Sequence, residues 1–207
     1  MSARDDAVQV KRPTTTAHIH ELIAGRWSPR AFDARPLEPT VWRTLFEAAR
    51  WAPSSSNEQP WRFVVVERTH ATEFSPVVRC LNEGNQRWAS GAAALVVTAV
   101  RRARANSDEP NPWAWHDLGQ AIANLSLQAT AHGVMVHQMA GFNAAHVRDV
   151  VGIPADYEPV TIVALGYLGD PEHLAEPDRV REMAPRQRLD VDAIVFRGRW
   201  QKRFDTL

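Results

Sequence analysis

Uncharged hydrogen-bonding side chains are densest in residues 52–61, where three consecutive serines precede Asn57 and Gln59. They offer short donors and acceptors without charge, which suits a polar, non-ionic partner such as a heterocycle edge or a ribityl chain. Pro53 and Pro60 delimit this stretch, which we call the serine loop. The alternative is a turn that caps the preceding helix, because Ser and Asn are common loop residues.

A second candidate lies upstream, where Arg26, Ser28 and Arg30 alternate along a short stretch. Pro29 biases Ser28 towards an extended backbone, so alternate side chains project to one side. Two guanidinium groups around a hydroxyl would form a phosphate clamp, in which each charge-assisted hydrogen bond contributes roughly 1.5–3 kcal/mol. The alternative is a solvated loop with surface arginines. We call residues 26–30 the arginine segment.

Several reaction classes lose support because their motifs are missing. The sequence has no Gly-x-Gly-x-x-Gly, no glycine-rich phosphate loop with lysine, no His-Glu-x-x-His, no Gly-x-Ser-x-Gly and no pair of cysteines. No histidine has neighbours at metal-ligand spacing, so no metal site is predicted. Polar residues this dispersed are typical of a protein whose organic cofactor supplies the reactivity.

Composition excludes some partners. The 24 basic and 24 acidic residues balance, so general binding to nucleic acid or to an anionic membrane is not expected. Apolar runs are far shorter than the ~20 residues of a spanning helix, and a single cysteine, Cys80, fits a reducing compartment. A cytoplasmic protein is therefore predicted. Eight tryptophans favour a flat cofactor pocket, a subunit interface, or both.

Periodicity predicts a mixed α+β fold. Residues 1–17 show no period and are expected to be a mobile arm, and residues 69–88 to be one helix broken near Pro76. Helices and strands do not alternate strictly, which favours an α+β sandwich over a doubly wound sheet. The predicted helices are His18–Ala24, Pro39–Trp51, Asp117–His132 and 143/144–151, and the predicted strands are Arg62–Glu67, Ala94–Val100, Val134–Gln138 and Val160–Tyr167.

The arginine segment and the run Pro-Ser-Ser-Ser-Asn-Glu-Gln-Pro-Trp at residues 53–61 together resemble the two N-terminal signatures of the FMN-dependent nitroreductase family. The resemblance covers most of residues 18–197. It implies a nitroreductase-like fold with a central, mostly antiparallel sheet flanked by helices, and a homodimer that exchanges its C-terminal segment. A single domain is then expected over residues 18–207, with a C-terminal extension from about residue 171.

The resemblance also assigns roles in binding FMN. Arg26 and Ser28 would contact the phosphate or ribityl end, and Arg30 the pyrimidine side of the flavin ring. The serine loop would meet FMN that is bound mainly to the other subunit. Its matching residues are Pro53, Ser54, Ser55 and Asn57.

Two further segments resemble family positions near the ring. Asn85 would face the pyrimidine edge, although Trp88 stands where relatives often carry a basic residue. The segment with Ala140 and Gly141 would aim a backbone amide at flavin N5, which makes Gly141 the predicted catalytic residue. Ala140 replaces a glutamate of many relatives. From the residues alone, a helix end at Asn85 and a simple turn at Gly141 stay open.

A basic pair near the C-terminus, Arg186 and Arg188, resembles residues that close over the phosphate, with Gln187 an alternative to Arg188. Trp113 and Trp115 would line the substrate pocket or anchor an interface. The adjacent pair His116 and Asp117 would donate a proton or cap a helix.

The resemblance implies an oxidoreductase that passes hydride from NADH or NADPH through FMN to a planar acceptor, such as a nitroaromatic or a quinone. The expected partners are a second copy of the chain and this acceptor, with no nucleic acid or membrane. Three alternatives are a protein that binds or sequesters FMN without turnover, a flavoenzyme of this fold with another reaction, and a flavin-free dimerisation module.

Overall fold

Residues 2–204, which the computed structural model describes, form a five-stranded sheet with helices on both faces. Met1 and residues 205–207, at the ends of the expected arm and domain, lie outside this range. The strands are β1 (Phe32–Asp33), β2 (Trp61–Glu67), β3 (Ala94–Arg101), β4 (Val134–Met139) and β5 (Tyr157–Leu168). The helices are α1 (Ala3–Val10), α2 (Glu21–Gly25), α3 (Pro39–Arg50), α4 (Ala71–Cys80), α5 (Glu83–Ala89), α6 (Ala114–Ala131), α7 (Ala144–Val151) and α8 (Glu176–Glu182).

Strand β5 is central to the sheet. It pairs with β3, which in turn pairs with β2, and it also pairs with β4 and with the short β1. All of these pairings are antiparallel, which confirms the predicted α+β fold class. The predicted exchange of a C-terminal segment between subunits stays a prediction.

Two hydrophobic cores form because successive side chains of a strand point to opposite faces of the sheet. On β3, Val96 and Val100 belong to the core that includes α3 and α6. Leu95 and Val97 belong to the second core, with α4, α5 and α7. Both faces are covered, which explains why this strand reads as a continuous apolar run in the sequence.

Helices α3 and α6 hold the serine loop at their ends. Leu45 and Ala49 form the buried stripe of α3, which packs on α6 and ends at Arg50, just before the loop. Helix α6 begins at Ala114, three residues earlier than predicted. The other predicted helices and strands are confirmed to within three residues, except for the two segments that follow.

Residues 2–17 of the predicted arm contain a helix, α1, which the sequence analysis does not predict, and the mobility of the arm stays a prediction. Ser2 and Asp5 form a reciprocal capping box that starts α1, and Ala7 is buried. The Lys11 amino group then donates to the carbonyls of Arg181 and Ala184, 170 residues or more away in sequence. These tertiary contacts order a segment whose periodicity alone gives no signal.

The predicted break at Pro76 is also wrong. Helix α4 continues through Pro76 and ends at Cys80, a buried residue whose thiol donates to the Pro76 carbonyl. The chain leaves the helix at Leu81 because this residue pairs with Phe142, and the next amide, of Asn82, donates to the Gly141 carbonyl at 2.9 Å. A tertiary contact, not the proline, sets the boundary.

The C-terminal extension divides in two. Residues 171–186 pack on their own protomer, through contacts of the 3-10 helix Pro171–His173 with α1 and through Arg186. Beyond them, large apolar side chains are exposed, namely Leu189, Val191, Ile194 and Trp200. Across residues 2–204, no helix has the length and apolarity that a membrane span requires.

Two glycines give a matched test of the packing. A Cβ atom at Gly169 would lie 2.5 Å from backbone atoms of Phe32, so Gly169→Ala displaces β1, whereas Gly119 on α6 has open space around it. We expect Gly169→Ala to lower the free energy of unfolding by about 1–3 kcal/mol. Gly119→Ala should raise it by about 1 kcal/mol through helix propensity. Urea unfolding at fixed protein concentration measures both, and equal stabilities would contradict the described approach of Gly169 to β1.

Candidate active site

The backbone of the arginine segment is held by a distant side chain, Arg186. Helix α2 ends at Gly25, and the chain continues extended at Arg26. Arg186 donates from Nη1 to the Arg26 carbonyl at 2.6 Å and from Nη2 to the Ala24 carbonyl at 2.5 Å. Both terminal nitrogens of Arg186 are thus engaged, and we expect this residue to position the segment.

The side chains around Arg26 concentrate positive charge. Arg26 is partly buried and its Nη1 lies 3.4 Å from the Ser28 hydroxyl. Burial lowers the pKa of Arg26, and the charge of Arg188 lowers it further. Burial and the charges of Arg26 and Arg188 likewise lower the pKa of Arg186. Three arginines that repel one another favour an anion such as a phosphate at this place.

Arg30 lies at the other end of the segment and contacts α8. Its backbone amide donates to the Glu182 carboxylate, and its Nε lies 3.7 Å from Asp178 Oδ1. Its guanidinium carbon is 6.0 Å from the centre of the Trp88 ring. Burial lowers the pKa of Arg30, and the two carboxylates oppose that effect.

A histidine joins the arginine segment to β4 and α5. His137 Nδ1 is 2.7 Å from the Pro29 carbonyl, so this nitrogen carries the proton and donates it. The imidazole lies 4.4 Å from the Trp88 ring, centre to centre. Trp88 is a buried core residue, and the neighbouring Arg87 donates to Asp178 at 3.2 Å. Trp88 therefore adds no charge of its own, and the positive charge nearest to its ring in these contacts is that of Arg30.

Asn85 and Gly141 lie together. The Gly141 carbonyl accepts from the Asn82 amide at 2.9 Å and from Asn85 Nδ2 at 3.3 Å. A Cβ atom at position 141 would lie only 3.0 Å from Asn82 Nδ2 and 3.1 Å from Asn85 Nδ2. A side chain at position 141 would therefore press on both asparagine amides, which would have to shift by a few tenths of an ångström. Ala140, immediately before it, is exposed.

The serine loop is anchored to the start of α6. The Ser55 amide donates to the buried Asp117 carboxylate at 3.1 Å, and the Gln59 amide donates to the Ser54 hydroxyl at 3.1 Å. Ser56, Asn57 and Gln59 have positive φ angles of 52°, 56° and 45°. Such angles are uncommon outside glycine, so the loop has a specific shape.

The surroundings of the serine loop include aromatic residues. Trp113 and Trp115, at the start of α6, are about half exposed. Trp51, just before the loop, is more exposed than either. The exposed His116 ring lies 3.4 Å from Asp117 Oδ1. Asp117 lies in the first turn of α6, whose N-cap residue Trp113 makes no side-chain cap hydrogen bond, so the Asp117 carboxylate anchors the serine loop and does not cap the helix.

The contacts thus sort the predicted residues into two groups within one protomer. The first group joins the arginine segment to Asn85 and Gly141 through His137 and Trp88. The second group is the serine loop with Asp117. Sequence reasoning missed His137, Asp178, Glu182 and Asn82. Only the pair Asp178 and Glu182 carried a signal, since two acidic residues four apart share one face of a helix.

Comparisons with known proteins agree with this architecture. The family model described as Nitroreductase family matches residues 23–167. A solved structure described as an oxidoreductase containing FMN superposes with a TM-score of 0.86 at 32% identity, covering 92% of this chain and 96% of its own.

Two sequence relatives cover similar lengths. A 15.4 kDa protein from the ask 5′ region of Mycolicibacterium smegmatis, described as uncharacterized, is 34% identical over 67% of this chain and 97% of its own. An NADH dehydrogenase of Thermus thermophilus is 31% identical over 75% of this chain and 90% of its own. The chain belongs to the nitroreductase family, and it is an oxidoreductase.

His137 makes stability depend on pH. Burial lowers the pKa of His137 from 6.5 to about 4. Above pH 6.5 the ring is neutral in both states, whereas below it the unfolded chain takes up a proton that the folded protein does not. Stability is therefore lost as pH falls from about 6.5 towards 4, by on the order of 2 kcal/mol at pH 5.

The variant His137→Asn has an amide that can still donate to Pro29. Between about pH 7.5 and pH 5, we expect its free energy of unfolding to fall by about 2 kcal/mol less than that of the wild type. Chemical denaturation at each pH and a fixed protein concentration measures the difference. His146→Asn, at an exposed site on α7, is the control and should follow the wild type. If the free energy of unfolding fell equally in His137→Asn and in the wild type, His137 would not be the source of the pH dependence.

Proposed function

We propose that this protein is an FMN-dependent oxidoreductase that uses NADH or NADPH to reduce a planar acceptor, such as a nitroaromatic or a quinone. When bound, FMN supplies the chemistry of hydride uptake at N5 and electron transfer to the acceptor. The observation that carries the proposal is a partly buried group of arginines whose segment contacts His137 of β4 through Pro29, while the chain just after β4 carries Gly141, whose carbonyl accepts from Asn85. The family and the FMN-containing structure at 32% identity support it.

The donors present suit FMN. Arg26, Ser28 and Arg188 would hold the phosphate, since mutual repulsion among the arginines is relieved by a dianion. Arg186 would act by fixing the carbonyls of Ala24 and Arg26. Arg30 would place positive charge beside the pyrimidine edge and so favour the reduced, anionic form of the ring.

Asn85 and Gly141 would contact the ring itself. The carbonyl of Gly141 is fixed by two asparagine donors, which sets the plane of the Gly141–Phe142 peptide. The Ala140 carbonyl, in the same peptide as the Gly141 amide, accepts from the Phe142 amide at 3.2 Å. Gly141 would offer its backbone amide to N5, and without a Cβ atom it would let the ring come close. With Ala140 in place of a glutamate, residue 140 presents no carboxylate to the ring. Backbone groups and the shape of the binding site would then orient the reductant and the acceptor.

The second group of residues would complete the site from a second copy of the chain. Within one protomer the serine loop contacts α6, whereas the arginine segment contacts α8, β4 and α5. A homodimer with two shared sites would bring Pro53, Ser54, Ser55 and Asn57 of one chain to the FMN held by the other. The exposed apolar residues beyond 188 would pack on the partner in this dimer. A cytoplasmic location stays a prediction.

The visible spectrum of the freshly purified protein, followed by anaerobic addition of NADH and then NADPH, tests the proposed reaction. We expect flavin absorption near one FMN per chain, bleaching by at least one nicotinamide, and reoxidation by a quinone or a nitroaromatic. Bound FMN that neither nicotinamide reduces would favour an oxidising flavoenzyme. Reduction without any acceptor, or tight FMN with no turnover, would favour a sequestering protein, and a colourless protein that ignores added FMN would contradict the proposal.

Mixed dimers test the shared site. Arg26→Ala and a Ser55→Ala/Asn57→Ala variant should each weaken FMN binding about 10-fold or more, because each removes hydrogen bonds to the ligand. In a mixed dimer of the two, one site carries both defects and the other carries neither, so half of the sites should regain wild-type affinity. Arg68→Ala, at an exposed residue between β2 and α4, is the control. No recovery in the mixed dimer would place the whole site within one chain.

A further inference from the structure

Helix α8 carries two buried carboxylates that the proposed function does not use. Asp178 is 1% exposed and Glu182 is 0% exposed, although the other charged residues of this helix are exposed. Burial of a carboxylate is strongly unfavourable unless hydrogen bonds and charges compensate it. The contacts of these two residues therefore indicate what they do.

Glu182 binds the backbone of the arginine segment. The Arg30 amide donates to Oε1 at 3.1 Å and to Oε2 at 2.9 Å, and the Ala31 amide donates to Oε1 at 3.1 Å. Two consecutive backbone N–H groups thus converge on one carboxylate from 151 residues further along the chain. Burial raises the pKa of Glu182, while these amides and the charges of Arg30 and Lys11 oppose that effect.

Neighbouring groups hold the Glu182 carboxylate in place. Lys11 donates to the carbonyls of Arg181 and Ala184, on either side of Glu182 in sequence. Asp178, one helical turn earlier, lies 3.7 Å from Arg30 Nε and 3.2 Å from Arg87 Nε. Arg30 is therefore fixed twice by α8, at its backbone by Glu182 and at its guanidinium group by Asp178.

We propose that Glu182 is a positioning residue for the cofactor site. Its carboxylate acts as an internal anion that fixes the Arg30–Ala31 backbone, and this sets the direction in which Arg26, Ser28 and Arg30 project. The inference rests on the proposed function for the identity of the ligand. The anchoring itself concerns only residues of the chain, so it is testable without FMN.

The test compares Glu182→Gln with Glu176→Gln, an exposed residue of the same helix. Glutamine keeps the shape of the side chain but loses the charge and presents an amide group to the backbone N–H groups. Hydrogen–deuterium exchange of the full chain without FMN is read at residues 30–31 and in β3. We expect Glu182→Gln to exchange at least about 10-fold faster at residues 30–31 with β3 unchanged, and Glu176→Gln to match the wild type.

Two ligand measurements follow. We expect FMN affinity to fall about 10-fold or more in Glu182→Gln. At saturating FMN, the reduction potential of the bound flavin should fall as well, because the Arg30 guanidinium, left with only its 3.7 Å contact to Asp178, is held less firmly beside the ring. A merely structural defect would lower stability without shifting the potential.

The outcomes separate the two ideas. Wild-type exchange at residues 30–31 in Glu182→Gln, or unchanged affinity and potential, would overturn the positioning role. A wild-type protein that binds no FMN would overturn the proposed function, while the exchange comparison would still decide the anchoring. Should Glu182→Gln fail to fold, Glu182→Asp, one methylene shorter, is measured instead, and wild-type exchange and affinity in that variant would count against the proposal.

Discussion

The structure depends on how an irregular stretch of backbone is held between α2 and β1. Some backbone groups of residues 24–31 have backbone partners, such as the Arg26 amide with Leu22 and the Ala31 carbonyl with Gly169, and three distant side chains bind others. Arg186 donates to two carbonyls, His137 donates to the carbonyl of Pro29, and the Glu182 carboxylate accepts from two amides. Buried backbone groups without partners are unfavourable. These contacts therefore allow Arg26 and Arg30 to occupy partly buried positions.

The charges around this backbone follow one pattern. Burial and the repulsion among Arg26, Arg186 and Arg188 lower the pKa values of Arg26 and Arg186. An anionic ligand would relieve this repulsion. Arg30 is different, because Asp178 and Glu182 compensate part of its charge. The segment thus offers strong positive charge at one end and moderated positive charge at the other, as expected for a ligand with a dianionic phosphate and a ring that becomes negative on reduction.

Local signals predicted much of this from the sequence. The apolar stripe of α3, the β-branched strands and the end of α7 at Val151 are read from neighbouring residues, and the α+β class followed from the lack of strict helix–strand alternation. The helix at residues 3–10 was missed because its apolar residues show no period, although the Ser2–Asp5 capping box is a local signal for its start. The break at Leu81 was missed because a distant contact, with Phe142, determines it. The same reason hid His137 and Glu182, whose partners lie 108 and 151 or more residues away.

The serine loop is held in an uncommon backbone conformation. Ser56, Asn57 and Gln59 all adopt left-handed backbone angles, which cost on the order of 1–3 kcal/mol each for residues other than glycine. The bonds from Ser55 to Asp117 and from Gln59 to Ser54 offset part of that cost. The loop makes further contacts in its own protomer: the Asn57 carbonyl accepts from Gln59 Nε2, the Gln59 carbonyl accepts from Arg62 Nη1 at 3.1 Å, and the Glu58 carboxylate accepts from the Ala105 amide at 2.6 Å. Ser56 and Asn57 are nevertheless exposed, and under the proposed function the loop would meet a second copy of the chain, with its own arginine segment.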